Sequence, residues 1–371
     1  MIRRTTDLSP AARAGYDAII DVRSPSEFAE DHIPGALNLP VLDDAERAEI
    51  GTVYVQTSKF LARRRGAAKV ARNIAAHLDG ALKDREGGFR PLVHCWRGGQ
   101  RSGAMVAVMD QIGWPVTVLD GGYMTWRRQV QTTLYGQAAW SVVLLDGGTG
   151  SGKTALLPRL AARGVQTLDL EGLADHRGSL FGSTGRDQPS QKLFESRLYA
   201  ALEALDPTRP IIVEAESSRV GARTIPPALW SAMGRAPVIE LDAPVQARAA
   251  FSARVYADIA SDAPALDQAL SRLPPHHSRA TVAEWKAMAR DGLILDLAAA
   301  LIADHYDPAY RRMSARRDRP SLGRIAMADV SEPELEKAAD RIAALLSVWA
   351  EGRHLAPRSE ASSVDPQEEK S

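Results

Sequence analysis

The chain has 371 residues, 45% of them hydrophobic and 25% charged, and its 46 basic and 46 acidic side chains leave no formal net charge. That length exceeds one ordinary core and predicts two domains, at roughly 150 residues each. Zero net charge excludes a protein that coats nucleic acid by bulk electrostatics and leaves only local basic patches for such a partner. No apolar run approaches the roughly 18 residues of a membrane span. The opening MIRRTTDLSPAARAGYDA lacks a signal-peptide apolar stretch, so a cytoplasmic location with no membrane partner is expected. A single cysteine excludes an internal disulfide and any Cys-rich zinc or iron–sulfur site.

In chain order, the short apolar runs 18–22, 92–95 and 116–119 read as strands separated by helical stretches. Between the first two, Val70, Ile74 and Leu78 recur every four positions with Lys69 and Arg72 on another face, which predicts an amphipathic helix over 67–78. His94-Cys95-Trp96-Arg97-Gly98-Gly99-Gln100-Arg101-Ser102 then follows a buried strand and precedes the apolar run 104–109, so Cys95 falls on a strand-to-helix turn. Backbone N–H groups in such a turn converge above the helix N-terminus and cradle a tetrahedral anion. The same positive field, with Arg97 and Arg101 close by, is expected to lower the thiol pKa and hold a nucleophilic thiolate. Gly98 and Gly99 are expected to supply backbone with positive φ. A structural cysteine beside two solvated arginines explains this composition poorly. The C-x5-R-S spacing is that of cysteine-dependent phosphatases, a sulfur transferase uses a closely similar cradle, and the loop alone leaves both open.

The pattern lapses over 132–139, which divides a first domain, 1–135, from a second, 136–350. A strand over 142–145 runs into Gly147-Gly148-Thr149-Gly150-Ser151-Gly152-Lys153-Thr154, a G-x-x-x-x-G-K-T loop, before the helical run 155–160. Backbone N–H groups along Gly147, Gly150, Ser151 and Gly152 can wrap a diphosphate, Lys153 supplies a point charge, and the Thr154 hydroxyl can hold Mg²⁺ if one is present. Ile211-Ile212-Val213-Glu214 ends a second apolar strand on a carboxylate, followed by Glu216, where an ATPase more usually carries Asp. ATP hydrolysis stays open on the residues alone. With a further strand over 238–241, βα alternation predicts a second parallel sheet and an α/β protein throughout. Residues 331–349 read as an amphipathic helix through Leu335, Ala338, Ile342, Leu345 and Leu346, and the polar stretch 351–371 as a disordered tail. Two arginine-rich stretches, Lys59, Arg63, Arg64, Arg65, Lys69 and Arg72, then Arg311, Arg312, Arg316, Arg317 and Arg319, read by themselves as solvated faces.

Asp21-Val22-Arg23-Ser24-Pro25-Ser26-Glu27-Phe28 and His32-Ile33-Pro34-Gly35-Ala36-Leu37-Asn38-Leu39-Pro40 resemble the opening signatures of rhodanese domains. Val118-Leu119-Asp120-Gly121-Gly122 with Trp126 resembles their closing strand and turn, so this resemblance spans 16–130. The cysteine loop is one residue longer than is usual in that family, which makes room for a phosphate-sized anion. A rhodanese domain ahead of a P-loop domain is similar to the tRNA 2-selenouridine synthases. So are Glu46-Arg47 with Ile50-Gly51-Thr52, Lys59-Phe60, Arg64-Arg65-Gly66-Ala67-Ala68, the stretches 168–182 and 188–195, and His305-Tyr306-Asp307-Pro308.

This second resemblance implies a two-stage reaction on the wobble 2-thiouridine of tRNA: alkylation of the sulfur by geranyl diphosphate, then entry of selenium from selenophosphate as the S-geranyl group leaves. It implies that the P-loop, with Lys153 and Thr154, stabilises departing diphosphate without ATP hydrolysis. The Cys95 cradle, with Arg97 and Arg101, would hold selenophosphate, Cys95 being either a selenium carrier or the nucleophile that removes phosphate. It turns Lys59, Arg63, Arg64, Arg65 and Arg72, and Arg311 and Arg312, into tRNA-binding candidates, and admits a selenophosphate-supplying enzyme as a partner. His176 and Arg177 could reach a phosphate or cap a helix, and Ala215-Glu216-Ser217-Ser218-Arg219-Val220-Gly221 departs from the family's tighter acidic-Ser-Arg run. The competing readings are a rhodanese-fold cysteine phosphatase or sulfurtransferase with an appended nucleotide-binding domain, and a non-catalytic phosphoanion-sensing RNA-binding module. The oligomeric state is not legible.

Overall fold

Short apolar runs bounded by turns assemble into two parallel sheets, each placing a loop of chemical interest at the carboxyl ends of its strands. The computed structural model describes residues 2–355 apart from 138–139, 179–181, 183–184, 216, 274–276 and 315–318. The first sheet contains β1 (Arg3–Thr5), β2 (Ala18–Asp21), β3 (Leu37–Asn38), β4 (Pro91–His94) and β5 (Thr117–Leu119) in the order β1-β5-β4-β2-β3, every pairing parallel. All of β4 is buried, which is why it reads as an unbroken apolar run and not as an alternation. The predicted helix over 67–78 is the second half of a longer one, Lys59–Asp79, which pairs with a helix over Asp44–Gln56. Lys69 meets Glu46 and Glu49, and Ile50 lies against Gly66, so the two helices run antiparallel as a hairpin. The first of them opens with a capping box, Asp43 with Glu46, and the second is capped by Ser58.

The second sheet is made from β6 (Val142–Gly147), β7 (Gln166–Leu168), β8 (Ile211–Glu214), β11 (Val238–Asp242) and β12 (Ser321–Ala326), ordered β12-β11-β6-β8-β7 and again parallel. A two-stranded ribbon, β9 (Arg219–Val220) with β10 (Arg223–Thr224), stands apart from it. The expected βα alternation stops at β11. Helices Val245–Val255, Ala263–Ser271, Arg279–Arg290, Ile294–Ala300 and Asp307–Ser314, with a π-helical turn Leu301–Tyr306, occupy the chain before β12. They carry a separate apolar cluster of Leu266, Leu270, Leu273, Trp285, Leu297 and Leu301. The final helix, Glu332–Leu355, extends past residue 350 into the stretch expected to be tail, and 356–371 lie outside the described residues.

The helix Tyr123–Tyr135 joins the two sheets. Its Trp126 and Val130 share one buried cluster with Leu92 and Leu119 on the near side and with Phe194, Leu198 and Leu229 on the far side. Trp126 Nε1 donates to Ser196 Oγ at 3.0 Å, and Arg127 pairs with Glu195, which also accepts from the Tyr135 hydroxyl at 2.7 Å. Arg127 is 8% exposed and Glu195 1%, so neither charge has water to fall back on. Arg127→Ala strands the Glu195 carboxylate and is expected to destabilise the chain by about 3–5 kcal/mol in urea unfolding. Arg127→Met with Glu195→Gln should recover part of that loss, because the Glu195 charge is then gone while the buried Asp31 carboxylate, 3.8 Å from Arg127, still loses its neighbouring cation.

Candidate functional site

The loop between β4 and the helix Gln100–Ile112 folds back over Cys95. Its sulfur accepts from the Gly99 N–H at 3.3 Å and from the Ser102 hydroxyl at 3.3 Å. Burial pushes the thiol pKa up, but the Ser102 hydroxyl and the N–H groups of Ser102, Arg97 and Gly99 outweigh it, and the net effect is a thiol held below its ordinary value. Cys95 is 4% exposed, so the sulfur sits on the floor of the loop, under the exposed Gly99. Gly98 takes φ +69°, and a Cβ there would fall 2.8 Å from the Leu119 carbonyl oxygen, whereas Gly99 has φ −98° and needs no such freedom.

The arginines act differently from the expectation drawn from spacing. Arg97 contributes its backbone N–H, and its side chain is exposed. Arg101 Nη1 is bound 2.6 Å from Glu27 Oε2, and Glu27 is also paired with Arg47 at 3.0 Å. The thiol is therefore activated by dipoles of the loop and by Ser102, with the Arg101 charge committed to Glu27. Beside the loop Ser26, Glu27, Glu30, Arg47, Trp96 and Arg101 line an open groove. His94, just before Cys95, is fully buried, and burial holds its pKa down.

At the end of β6 the chain turns through Gly147 to Gly152 into the helix Lys153–Ala162. Gly150 has φ +79°, and a Cβ there would lie 2.5 Å from both the Arg248 carbonyl oxygen and Ser252 Oγ. Lys153 Nζ donates to the Gly147 carbonyl at 2.8 Å, and the Tyr310 hydroxyl accepts from the Gly147 N–H at 2.9 Å. Thr154 Oγ1 lies 2.5 Å from Glu214 Oε1 and 3.0 Å from Glu171 Oε2. Glu214 is fully buried on β8, the strand next to β6. The buried hydroxyls of Ser151 and Ser252 have no hydrogen-bond partner among the described residues, and an anion in the loop would supply one.

The residues that fix this loop were not visible in the motif. Arg248 is buried and grips Asp307 with two bonds of 2.9 and 2.7 Å while donating to the Thr149 carbonyl at 3.2 Å. Glu171 and Arg177 line the cavity over the loop, and Arg177 is itself held by Asp258 at 2.8 Å. His176 Nδ1 accepts from the Gly178 N–H at 3.1 Å and so shapes the local turn. A second cavity shares Thr149, Ser252, Tyr256 and Tyr306 with the first and is lined otherwise by apolar side chains, among them Ile259, Leu266, Leu297 and Ile302.

Of the basic stretches, Lys59, Arg63, Arg64, Arg65 and Arg72 are exposed on the helix Lys59–Asp79, whereas Lys69 is spent on Glu46 and Glu49. Arg311 and Arg312 are exposed on Asp307–Ser314. Glu216, Arg316 and Arg317 lie outside the described residues. Among the described residues no helix is long and apolar enough to cross a membrane.

A strand-to-helix thiol cradle and a Gly-Lys-Thr loop on a second parallel sheet define a rhodanese domain joined to a P-loop domain. Residues 7–129 match the rhodanese-like domain family, and residues 140–272 match the tRNA 2-selenouridine synthase AAA domain. The second domain is therefore similar to the AAA domain of the tRNA 2-selenouridine synthases. Relatives named tRNA 2-selenouridine synthase include one from Psychromonas ingrahamii, 32% identical over 62% of this chain and 62% of its own length. One from Cupriavidus necator is 36% identical over 64% of this chain and 65% of its own length. A third, from Salmonella typhi, is 36% identical over 62% of this chain and 63% of its own length. The chain thus spans under two thirds of the length of these relatives. Among solved structures, the N-terminal domain of a putative ATP/GTP binding protein from Clostridium difficile 630 is 32% identical over 33% of this chain and 97% of that chain, at a TM-score of 0.29.

Proposed function

We propose that this chain is a tRNA-modifying transferase that alkylates wobble 2-thiouridine with geranyl diphosphate and then replaces the alkylated sulfur with selenium from selenophosphate. The carrying observation is that the phosphate loop shares its walls with an apolar cavity. A diphosphate seated on Gly150, Ser151 and Lys153 would point its organic group among Ile259, Leu266 and Leu297, where a prenyl chain is favoured and a polar ribose is not. The names carried by the relatives support tRNA as the substrate.

In the first stage the thiocarbonyl sulfur forms a bond to the prenyl C1 as the C1–O bond breaks, and the charge arriving on diphosphate meets Lys153 and the loop N–H groups. The Thr154 hydroxyl with Glu214 and Glu171 fits a Mg²⁺ held jointly with the phosphates, a pattern usual for that ion, and when bound it would neutralise the departing charge. In the second stage selenium adds to C2, the geranylthiolate leaves, and cleavage of the Se–P bond by water releases phosphate. The Cys95 cradle offers the N–H donors for selenophosphate and a thiolate able to take up the phosphoryl group in place of water, the S–P bond forming as the Se–P bond breaks and frees selenide for C2, with water then hydrolysing the S-phosphocysteine to phosphate. No ATP is consumed on this route.

The test is nucleoside mass analysis after incubating the chain with 2-thiouridine tRNA, geranyl diphosphate and selenophosphate, each withheld in turn. Without selenophosphate the S-geranyl nucleoside should accumulate, and without geranyl diphosphate no selenium should enter. Turnover of an aryl phosphate with the RNA unchanged would instead identify a phosphatase. Ala298 lines the apolar cavity, and Ala298→Phe should lower kcat/KM for geranyl diphosphate roughly 10- to 100-fold while sparing the shorter dimethylallyl diphosphate.

A further inference from the structure

The helical hairpin Asp44–Gln56 and Lys59–Asp79 ends in an apolar tip that stands open to solvent. Phe60 is 73% exposed, Val55 83% and Tyr54 43%. Single exposed apolar residues need no explanation, but three within seven residues, on either side of the turn between the two helices, do. Lys59 Nζ stands 5.8 Å from the Tyr54 ring centroid, and Arg63, Arg64 and Arg65 follow within the next turns, all exposed and in no ion pair among the described residues. Lys69, one to two turns further along, is neutralised by Glu46 and Glu49, so the free positive charge is concentrated toward the tip. Aromatic faces interleaved with unpaired cations are what single-stranded or loop RNA requires, since bases stack on the rings and phosphates meet the cations.

The root of the hairpin lies at the thiol. Arg47, in the first turn of Asp44–Gln56, pairs with Glu27, which holds Arg101 of the cysteine loop, and all three line the groove beside Trp96. From Arg47 to the end of that helix is about 14 Å at 1.5 Å per residue, a reach on the scale of a stem-loop. We infer that the hairpin is an RNA-docking arm whose tip stacks unpaired bases of the substrate on Phe60 and Tyr54, while Arg63, Arg64 and Arg65 grip the adjoining phosphates. The inference rests on the reading of tRNA as substrate and adds to it a surface and two stacking residues.

The experiment is fluorescence anisotropy of the full chain with a 17-nucleotide anticodon stem-loop carrying 2-thiouridine at the wobble position, over a salt series. Phe60→Ala should weaken binding roughly 5- to 100-fold, and Phe60→Trp should restore it, because stacking and not packing is at stake. The triple change R63E/R64E/R65E should weaken binding and flatten the logarithmic salt slope by about three. Unchanged affinity in Phe60→Ala and in the triple variant, against a wild type that binds, overturns the arm and leaves tRNA as substrate intact. A wild type that fails to bind the stem-loop overturns both. A Phe60→Ala variant that shifts a dimer to monomer at unchanged RNA affinity makes the tip a self-association surface and overturns the proposal.

Discussion

Cys95→Ser is expected to reduce selenium entry on the order of 10³-fold or more while leaving S-geranylation of the same tRNA intact, as judged by nucleoside mass analysis. The loop explains the asymmetry. The group that makes Cys95 reactive is its thiolate, and serine presents the same N–H cradle with a hydroxyl that stays protonated near neutral pH. The hydroxyl of Ser102, 3.3 Å from the sulfur, is the strongest of the donors lowering the thiol pKa against burial, so Ser102→Ala should raise it. Because the active form is the deprotonated one, reactivity is full above the thiol pKa and is lost as pH falls through it. In Ser102→Ala the acid limb therefore moves to higher pH, and iodoacetamide modification near pH 7 slows roughly tenfold. A Cys95 that reacts at the rate of a free thiol, with the same pH limb in both proteins, would refute activation by the loop. A Cys95 that does not react at all would mean that the 4% exposure of the residue closes the site.

What was legible in the sequence follows the physics of burial. The central strands β2, β4, β6 and β8 stand in parallel sheets with both faces largely covered and therefore read as continuous apolar runs. Edge strands such as Arg3–Thr5 and Gln166–Leu168 are short and polar and left no such trace. The helical region after β11 was hidden because its alanine-rich segments are individually brief, and only their mutual packing around Trp285 makes a core. The hairpin could have been half found, since Asp43-x-x-Glu46 is a capping box.

Among the site residues, Cys95, Lys153 and Thr154 are fixed by local spacing, and Glu214 by its position at the end of an apolar strand. Glu171 and Arg248 are not, because each reaches the P-loop across many residues of intervening chain. Arg101 shows the limit of motif reasoning: the spacing placed a cation by the thiol, but a carboxylate 74 residues earlier, Glu27, claims it. The shared core around Trp126 likewise depends on contacts between helices far apart in the chain.

Lys153→Ala should remove the alkylated product, by roughly 10²- to 10³-fold in kcat, with binding of tRNA retained. The alkylation and selenium steps then separate cleanly between two variants, since Cys95→Ser fails only at the second. In the free protein the Lys153 ammonium is parked on the Gly147 carbonyl at 2.8 Å, and an arriving diphosphate offers it a full negative charge in place of a dipole. The exchange is favourable only while the loop keeps its shape, and that shape depends on Gly150 lying where no Cβ fits between the Arg248 carbonyl and Ser252 Oγ. Gly150→Ala should accordingly match Lys153→Ala at the alkylation step, despite leaving every charged group in place, because φ +79° strains any residue with a Cβ and the Arg248 carbonyl and Ser252 Oγ of the helix Val245–Val255 occupy the space that Cβ needs. If instead Lys153→Ala and Cys95→Ser both stop at the unmodified 2-thiouridine, the two loops do not divide the chemistry. The thiol would then have to act before or during transfer of the prenyl group.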